Sequence, residues 1–415
     1  MSDLLDDVFR RHAGAGPDPA ERARIRDERA AVMGFLDAGG TAYGFTSRVG
    51  HLDGERADAL APDAFLADHL WGPVFPLDAS VLRLLSAVKG AQLARGGSGV
   101  SEEAHMALAA HAAARDGAAG SGAWTSSYGA GDVVPGAWWL KDVMAHTGLT
   151  LRQGDFIACV NGHFVSTTYA ILLLDAWADV VARYLALLPA LPSLGASSPR
   201  ADSILLLLSM RPPATGVQAA ISVRDVRPFV AAVEAGGDQL RDAITTRLGQ
   251  PSGNPLFVFD EGGRAEPVSQ NSYLDFGVTF AATTVGSAAL VALAHCQRLI
   301  DVHAAATGEP ALVQAPKVAQ AVLEAVSDGP PQRFSSVQSA GVEDMYDASL
   351  LSVLAAMRKV VAWEEALSIA ERAGVAGPAA SSPVEIRDDV RRRFGVQGVR
   401  DRGIGIAACR ALLSP

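Results

Sequence analysis

Several side chains that could carry chemistry stand alone in apolar or glycine-rich segments of this chain. Four are of complementary types: the phenol of Tyr43, the amide of Asn161, the guanidinium of Arg224 and the carboxylate of Glu343. A phenol can serve as a general base, and a guanidinium can hold a carboxylate through two parallel hydrogen bonds. Taken singly, such residues are also typical of turns, packed rings, surface ion pairs and helix starts. Because the four lie far apart in sequence, only the fold can bring them to one site.

The segment SSYGAGDVVPGAWW has almost no side chains at its centre, where Gly129, Ala130 and Gly131 follow one another. These residue types predict a tight turn, in which glycine supplies positive φ, Asp132 caps the next helix and Pro135 opens it. The alternative is a site at which the backbone itself takes part in chemistry.

Seven segments, taken in order from 42 to 344, resemble the histidine and phenylalanine ammonia-lyase family, the aromatic amino-acid lyases. They are AYGFTSRVG at 42–50, RLLSAVKGAQLARGGSGV at 83–100, NGHFVSTTYA at 161–170, VQAAISVR at 217–224, GNPLFVFDEG at 253–262, NSYLD at 271–275 and SAGVED at 339–344. The resemblance implies an all-α, ammonia-lyase-like fold of the fumarase and aspartase type, built on a long central helix bundle. It also implies a homotetramer whose active sites are shared between subunits.

The same resemblance implies roles for single residues. Tyr43 would be the general base, and its phenol, with an ordinary pKa of about 10, would need donors or positive charge around it. Arg224 would hold a substrate carboxylate. Asn161 would orient the substrate or the loop at 129–131, and Glu343 would face the substrate amine or act as a second acid–base group.

The glycine-rich loop differs from the family's loop at one side-chain oxygen, which the family's cofactor needs in order to form. SSYGAGD aligns with the family's S-V-G-A-S-G-D, whose Ala-Ser-Gly triplet cyclises into an electrophilic methylidene-imidazolone by losing the serine hydroxyl. Here Gly129, Ala130 and Gly131 occupy the triplet, and Ala130 has no oxygen to lose. Shifting the register to Ser127 places Tyr128 where the ring needs glycine. The sequence therefore predicts that this cofactor does not form and that no other cofactor is required.

Further departures lie where the family contacts its substrate. Arg48 adds a cation near the tyrosine loop, His163 replaces a threonine, and Tyr273, two residues after Asn271, replaces a histidine. We expect these four residues to contact a substrate different from histidine or phenylalanine.

Two functions stay open on this basis. The first is a cofactor-independent lyase or cyclase of specialised biosynthesis, in which Tyr43 moves a proton on a small molecule that bears a carboxylate or carbonyl and brings its own activation. The reaction would be elimination, conjugate addition, cyclisation or isomerisation. The second is a catalytically inactive homologue that serves as a binding or scaffold subunit.

The amino-acid composition limits which binding partners and which cellular location we expect. The 415 residues are 49% hydrophobic and 19% charged, which favours burial of apolar surface against other subunits. A net charge of −10 and the absence of basic blocks exclude nucleic acid as an expected partner. The N-terminus has no basic signal-peptide start, and charges interrupt the apolar stretch at 164–188, so no membrane span is expected. Three dispersed cysteines fit a reducing cytoplasm, and nine histidines without an H-x-x-x-H pair predict no metal site.

Hydrophobic periodicity predicts helices almost throughout the chain. The expected helices span 1–40, 79–95, 101–116, 164–188, 225–248, 274–306, 314–327 and 347–373, with another after a capping box at 382–385. The segment 250–267 is expected to be irregular. We interpret residues 1–415 as one helical domain, with active-site loops and helices at 1–160, a central bundle at 161–380 and C-terminal helices at 381–415.

Overall fold

The computed structural model of the chain confirms the all-α prediction. It describes residues 3–56, 62–114, 119–127, 129–188, 221–224, 226–327, 334–338, 343–375, 383–398 and 404–414. Helices make up most of these residues, and the described strands form only short two-stranded ribbons. The segment PALPSLGASSPRA at 189–201, for which the sequence predicts a loop opened by Pro189, lies outside the described residues, and the division at 160 and 380 stays a prediction.

The N-terminal segment forms two helices instead of the single one predicted over 1–40. Helix α1 spans Asp3–His12 and α2 spans Pro19–Asp37. The intervening AGAGP stops the first helix, because glycine and proline are the poorest helix formers. Asp18 then caps α2, accepting a hydrogen bond from the N–H of Glu21 at 2.8 Å.

Five helices carry the chain through the glycine-rich loop. They are α3 at Pro62–Asp68, α4 at Ala79–Leu93, α5 at Glu102–Ala113, α6 at Val133–Thr147 and α7 at Asp155–Val160. The predictions for α4 and α5 are confirmed. Helix α6 begins two residues before Pro135, the residue expected to open it.

The rest of the chain forms the long bundle. Its helices are α8 at Phe164–Leu187, α9 at Ile221–Arg224, α10 at Arg227–Leu248, α11 at Phe276–Thr307, α12 at Ala315–Ser327, α13 at Ser349–Arg372, α14 at Pro383–Phe394 and α15 at Ile404–Leu413. Almost every side chain of α8 is buried, which explains why its sequence is apolar on all faces. Helix α8 packs against α10, α13, α14 and α15, and α11 lies between α10 and α13.

The strands pair in three antiparallel ribbons. They join β1 at Phe75–Leu77 to β2 at Gly120–Gly122, β3 at Leu256–Phe259 to β4 at Ala265–Val268, and β5 at Ser335–Gln338 to β6 at Glu343–Met345. The second ribbon corrects the expectation of an irregular segment at 250–267. There the apolar run LFVF turns back on itself through Asp260 and the glycines that follow.

One described helix, α11, is long and apolar enough to cross a membrane, but 56% of its most apolar stretch is buried inside the protein. A core helix of a soluble protein has the same composition, and α11 packs along its length against α10 and α13. Its remaining apolar surface includes Phe280 and Val291, which are 58% and 41% exposed.

Candidate functional site

The glycine-rich loop at 129–131 lies where two other segments meet. The carbonyl oxygen of Gly129 accepts a hydrogen bond from the N–H of Asp347 at 3.1 Å, and that of Gly131 accepts one from the N–H of Gly162 at 3.1 Å. Both loop glycines have positive φ, 100° and 82°. The turn predicted from the sequence is therefore present, and it connects the α6 start to the segments before α8 and α13.

Position 129 has room for no side chain. A Cβ built on Gly129 would lie 2.5 Å from Oδ1 of Asp347 and 2.6 Å from the main-chain nitrogen of Ala348. The alanine that the ammonia-lyase triplet carries at this place would therefore clash in this chain. A Cβ on Gly131 would lie no closer than 3.5 Å to the side chain of Asn161, an ordinary contact.

Asp132 does not cap α6, contrary to the prediction. It has a left-handed backbone, with φ 49°, and makes no capping hydrogen bond to that helix. Its buried carboxylate instead accepts hydrogen bonds from Oγ of Ser127 at 2.7 Å and from the N–H of Ser166 at 3.0 Å. Ser166 is in the first turn of α8, whose own cap residue, His163, makes no side-chain capping hydrogen bond. Asp132 therefore caps α8 from outside and fixes the loop against it.

Asn161 lies directly against the loop, next to Gly131. It is 8% exposed, and its Oδ1 atom has no hydrogen-bond partner among the described residues. Its main-chain oxygen accepts a hydrogen bond from Nζ of Lys89 at 2.8 Å. The hydrogen bond from Lys89 holds the main chain of Asn161 in place. The Oδ1 atom of Asn161 stays available to a further hydrogen-bond donor.

Lys89 is a buried group that sequence reasoning missed. It lies on α4, fully buried, with its ammonium 5.1 Å from the centre of the Phe164 ring. Burial lowers the pKa of Lys89 to about 8. The only sequence signal was a lysine in an otherwise apolar helical stretch, because the series LLSAVKGAQL predicts a buried face.

His163 is buried two residues after Asn161, directly before α8. Its Nδ1 atom lies 2.9 Å from Oγ1 of Thr167 and 3.3 Å from Nε2 of Gln92, while Nε2 has no partner among the described residues. Burial, together with the charges of Arg247 and Lys89, lowers the pKa of His163 well below its ordinary value. The imidazole is therefore neutral and can donate or accept a single proton at Nε2.

The tyrosine loop docks on α7, the helix that ends beside Asn161. Oη of Tyr43 accepts a hydrogen bond from the N–H of Gly50 at 2.7 Å, which stabilises negative charge on the phenolic oxygen. The neighbouring Phe45 is buried, and Gly154 leaves the space for its ring. A Cβ on Gly44 would lie 2.8 Å from Ile157. The loop and α7 therefore pack too closely for either to be displaced alone.

A cluster of buried charges closes the other side of the loop. The carboxylate of Asp347 accepts hydrogen bonds from the N–H groups of Ser349 and Asp275. Burial raises its pKa to about 7, with a further contribution from the nearby charge of Asp132. Arg247 forms an ion pair with Asp275 at 3.4 Å. The carboxylates of Asp347 and Asp275 are thus buried near the guanidinium of Arg247, with the carboxylate of Asp132 nearby.

The remaining predicted site residues are placed less centrally. Asn271 is exposed and accepts a hydrogen bond from Oη of Tyr273 at 3.2 Å. Arg48 pairs with Glu55 at 3.3 Å on a half-exposed surface. The backbones of Arg224 and Glu343 belong to α9 and β6, whereas their side chains lie outside what the structure describes.

Residues 2–135, which include the tyrosine loop and the glycine-rich loop, match the family model described as "Aromatic amino acid lyase". This match supports the resemblance to the aromatic amino acid lyases over about the first third of the chain. No curated protein matches the sequence.

Solved structures extend the likeness to the whole fold of the chain. Ergothionase, the ergothioneine degrading enzyme of Treponema denticola, has a TM-score of 0.71 at 12% identity and covers 96% of this chain and 98% of its own. Phenylalanine aminomutase of Pantoea agglomerans has a TM-score of 0.67 at 14% identity, over 99% and 97%. Tyrosine aminomutase of Streptomyces globisporus has a TM-score of 0.68 at 19% identity, over 100% and 96%. At these identities the likeness establishes the fold.

The residues of the glycine-rich loop do not fit the methylidene-imidazolone of the aromatic amino acid lyases. Forming its exocyclic methylene requires a hydroxyl on the central residue of the triplet, and Ala130 has none. Cys159, two residues before Asn161, is a poor nucleophile, because burial raises the pKa of its thiol to about 12.

Proposed function

We propose that the protein is a lyase-fold enzyme that works without a methylidene-imidazolone on a small carboxylate-bearing molecule. The observation that carries this proposal is the glycine-rich loop. It is held between Asn161 and Asp347, with buried polar groups around it, although Ala130 cannot supply the electrophile.

The substrate must then bring its own activation. The β C–H of histidine or phenylalanine is a weak acid and the amine a poor leaving group, so a tyrosine base alone leaves a high barrier. Each ~1.4 kcal/mol of barrier is a tenfold difference in rate. An acidic C–H, an α,β-unsaturated carbonyl or a better leaving group removes this need. The reaction is therefore an elimination, conjugate addition, cyclisation or isomerisation, with a place in specialised biosynthesis.

Tyr43 is proposed as the base, because the N–H of Gly50 stabilises its phenolate. Arg224 would hold the carboxylate, and Glu343 would act as the second acid–base group. The unpartnered Oδ1 of Asn161 would accept a hydrogen bond from the substrate. Nε2 of His163 also has no partner, and it would donate to or accept from the substrate beside it.

Three further residues would set specificity at the rim. Tyr273 and Asn271 already contact each other, so a substrate would meet them as a pair. Arg48 would leave Glu55 to approach an anionic substrate, because their contact lies at a half-exposed surface where ion pairs are weak.

The proposed assembly is a homotetramer whose active sites are shared between subunits. Exposed apolar side chains on the long helices support it, since a second copy of the chain would cover them. They are Phe280 and Val291 on α11 and Leu351 on α13. Three free, buried cysteines agree with the proposed cytoplasmic location.

The test is turnover by the Tyr43→Phe variant. A panel of β-substituted amino acids and α,β-unsaturated acids is incubated with the wild type and followed by NMR. We expect turnover of at least one compound to be abolished in Tyr43→Phe while its melting temperature and oligomeric state are unchanged. Full activity of the variant would refute the proposal. Binding of panel compounds without turnover by the wild type would favour the inactive binding or scaffold subunit.

The missing cofactor is tested separately. The intact mass of the purified protein should equal the mass of its sequence, without the loss of two waters that the ring requires. Its near-ultraviolet spectrum should show only the aromatic side chains.

A further inference from the structure

Two histidines and one aspartate meet between α5 and α6, in a cluster that the proposed reaction does not use. Asp142 and His146 are one turn apart on α6, and His111 faces them from α5. Oδ2 of Asp142 lies 3.1 Å from Nε2 of His111 and 3.8 Å from Nδ1 of His146. Among the described residues this is the one group of three potential metal ligands, with all three ligand atoms within 4.8 Å of one another.

The distances from the Asp142 carboxylate to the two imidazoles are close to those between ligands of a tetrahedral centre. Ligand atoms held about 2.1 Å from a zinc ion at tetrahedral angles lie about 3.4 Å apart, between the two distances observed. Two imidazoles and one carboxylate form a donor set that transition metals prefer over magnesium or calcium. We propose that His111, Asp142 and His146 bind a divalent transition-metal ion, with Zn²⁺ as the best-fitting one, between α5 and α6.

The surroundings of His111 support a ligand role. The ring is 3% exposed, and its Nδ1 atom lies 2.7 Å from Oγ of Ser86. That hydroxyl also accepts a hydrogen bond from Nε1 of Trp139 at 3.0 Å and lies 3.4 Å from the carbonyl oxygen of Leu82.

Both histidine tautomers are therefore accommodated. Without metal, Ser86 donates to Nδ1, and Nε2–H of His111 donates to Asp142. With metal at Nε2, the proton sits on Nδ1 and is donated to Ser86, whose hydroxyl turns to the carbonyl of Leu82. A partner that fixes the imidazole from its far side is the usual second layer of a zinc site.

The ion would be a structural metal and would not take part in the reaction. It would tie α5 to α6, the helix that begins directly after the glycine-rich loop. His146 is 35% exposed, so a water molecule can complete the coordination from the solvent side. The sequence did not predict this group, because no two histidines have the H-x-x-x-H spacing. On α6 the residue four positions before His146 is Asp142, which offers a carboxylate in place of a second imidazole.

The experiment uses the untagged, full-length protein after treatment with a chelator. Zn²⁺ binding is measured by isothermal titration calorimetry and by the melting temperature, and Co²⁺ is added as a spectroscopic probe. We expect one equivalent of Zn²⁺ to bind with micromolar or tighter affinity, to raise the melting temperature, and to give the intense visible absorption of four-coordinate cobalt.

The variants His146→Ala and Asp142→Asn should weaken binding at least tenfold and abolish the rise in melting temperature. His146→Ala keeps a good helix former at a partly exposed position, so its fold is preserved. His303→Ala, which removes a partly exposed histidine from α11, is the matched control and should bind like the wild type. Absence of Zn²⁺ binding by the wild type, or equal affinity in His146→Ala, would overturn the proposal. Neither result affects the proposed Tyr43 chemistry.

Discussion

The main-chain N–H of Asp347 donates to the carbonyl oxygen of Gly129 at 3.1 Å, and Oδ1 of the same aspartate lies 2.5 Å from where a Cβ of residue 129 would be. The segment before α13 thus packs directly onto the main chain of Gly129, at the position where the ammonia-lyase triplet has an alanine. The conformation of this loop is held by contact with Asp347. A covalent ring, which the family uses at the same place, is not needed to hold it.

Gly129→Ala should destabilise the protein far more than Gly131→Ala. Both positions have positive φ, which costs an alanine about 1–2 kcal/mol. Only at position 129 does the new methyl group also collide with main-chain and carboxylate atoms. We expect a loss of about 3 kcal/mol or more for Gly129→Ala and about 1 kcal/mol for Gly131→Ala in the free energy of unfolding. Equal losses, measured by denaturant unfolding, would show that the contact with Asp347 is not tight in solution.

The sequence predicted the long helices well because burial decides their pattern. Helix α8, expected at 164–188, lies at Phe164–Leu187, and α11, expected at 274–306, lies at Phe276–Thr307. The incorrect predictions concern residues whose local sequence is compatible with more than one structure. Asp132 precedes a helix and has the residue type of a cap, but its left-handed backbone turns its carboxylate to α8.

The candidate site was only partly accessible from sequence. The family resemblance predicted that Asn161 faces the glycine-rich loop, and a Cβ on Gly131 would lie 3.5 Å from the Asn161 side chain, while the functional role of Asn161 stays a prediction. Lys89 and Asp347 were missed, because a charge buried by distant segments has no local signature. Their surroundings come from α4, α8 and the segment before α13, which only the tertiary structure brings together.

Asp132→Asn should be tolerated, whereas Asp132→Ala should not. Asparagine accepts the left-handed backbone, and its oxygen can still receive the N–H of Ser166 while its amide faces Ser127. Burial raises the pKa of Asp132, so removing its charge offsets part of any loss. Alanine leaves the buried N–H of Ser166 without a partner, at a cost of about 2 kcal/mol. Melting temperatures of the two variants, compared with the wild type, give the order; a more stable alanine variant would contradict it.

Asp347 should make the protein less stable as the pH rises from about 4 to about 7. Its folded-state pKa of about 7 lies above the ordinary value of 3.8, so the folded protein holds this proton more tightly than the unfolded chain. The contribution is therefore favourable below the lower value and lost as the pH passes through the upper one. The difference in unfolding free energy between the wild type and Asp347→Asn should fall by a few kcal/mol over this interval. A difference that stays constant with pH would contradict the assignment.

Lys89 should have the opposite effect at alkaline pH. Its folded-state pKa of about 8 lies below the ordinary 10.5, so the buried ammonium opposes folding below pH 8, and this penalty disappears as the pH rises toward 10.5. Lys89→Met keeps the shape and removes the charge. The unfolding free energy of the wild type, relative to this variant, should therefore rise by about 3 kcal/mol between these two pH values. Lys141→Met, at an exposed position on α6, is the matched control and should leave the pH dependence of the wild type unchanged. If the Lys89→Met and wild-type curves run parallel, the amine is hydrated in solution and its hydrogen bond to Asn161 does not hold the loop.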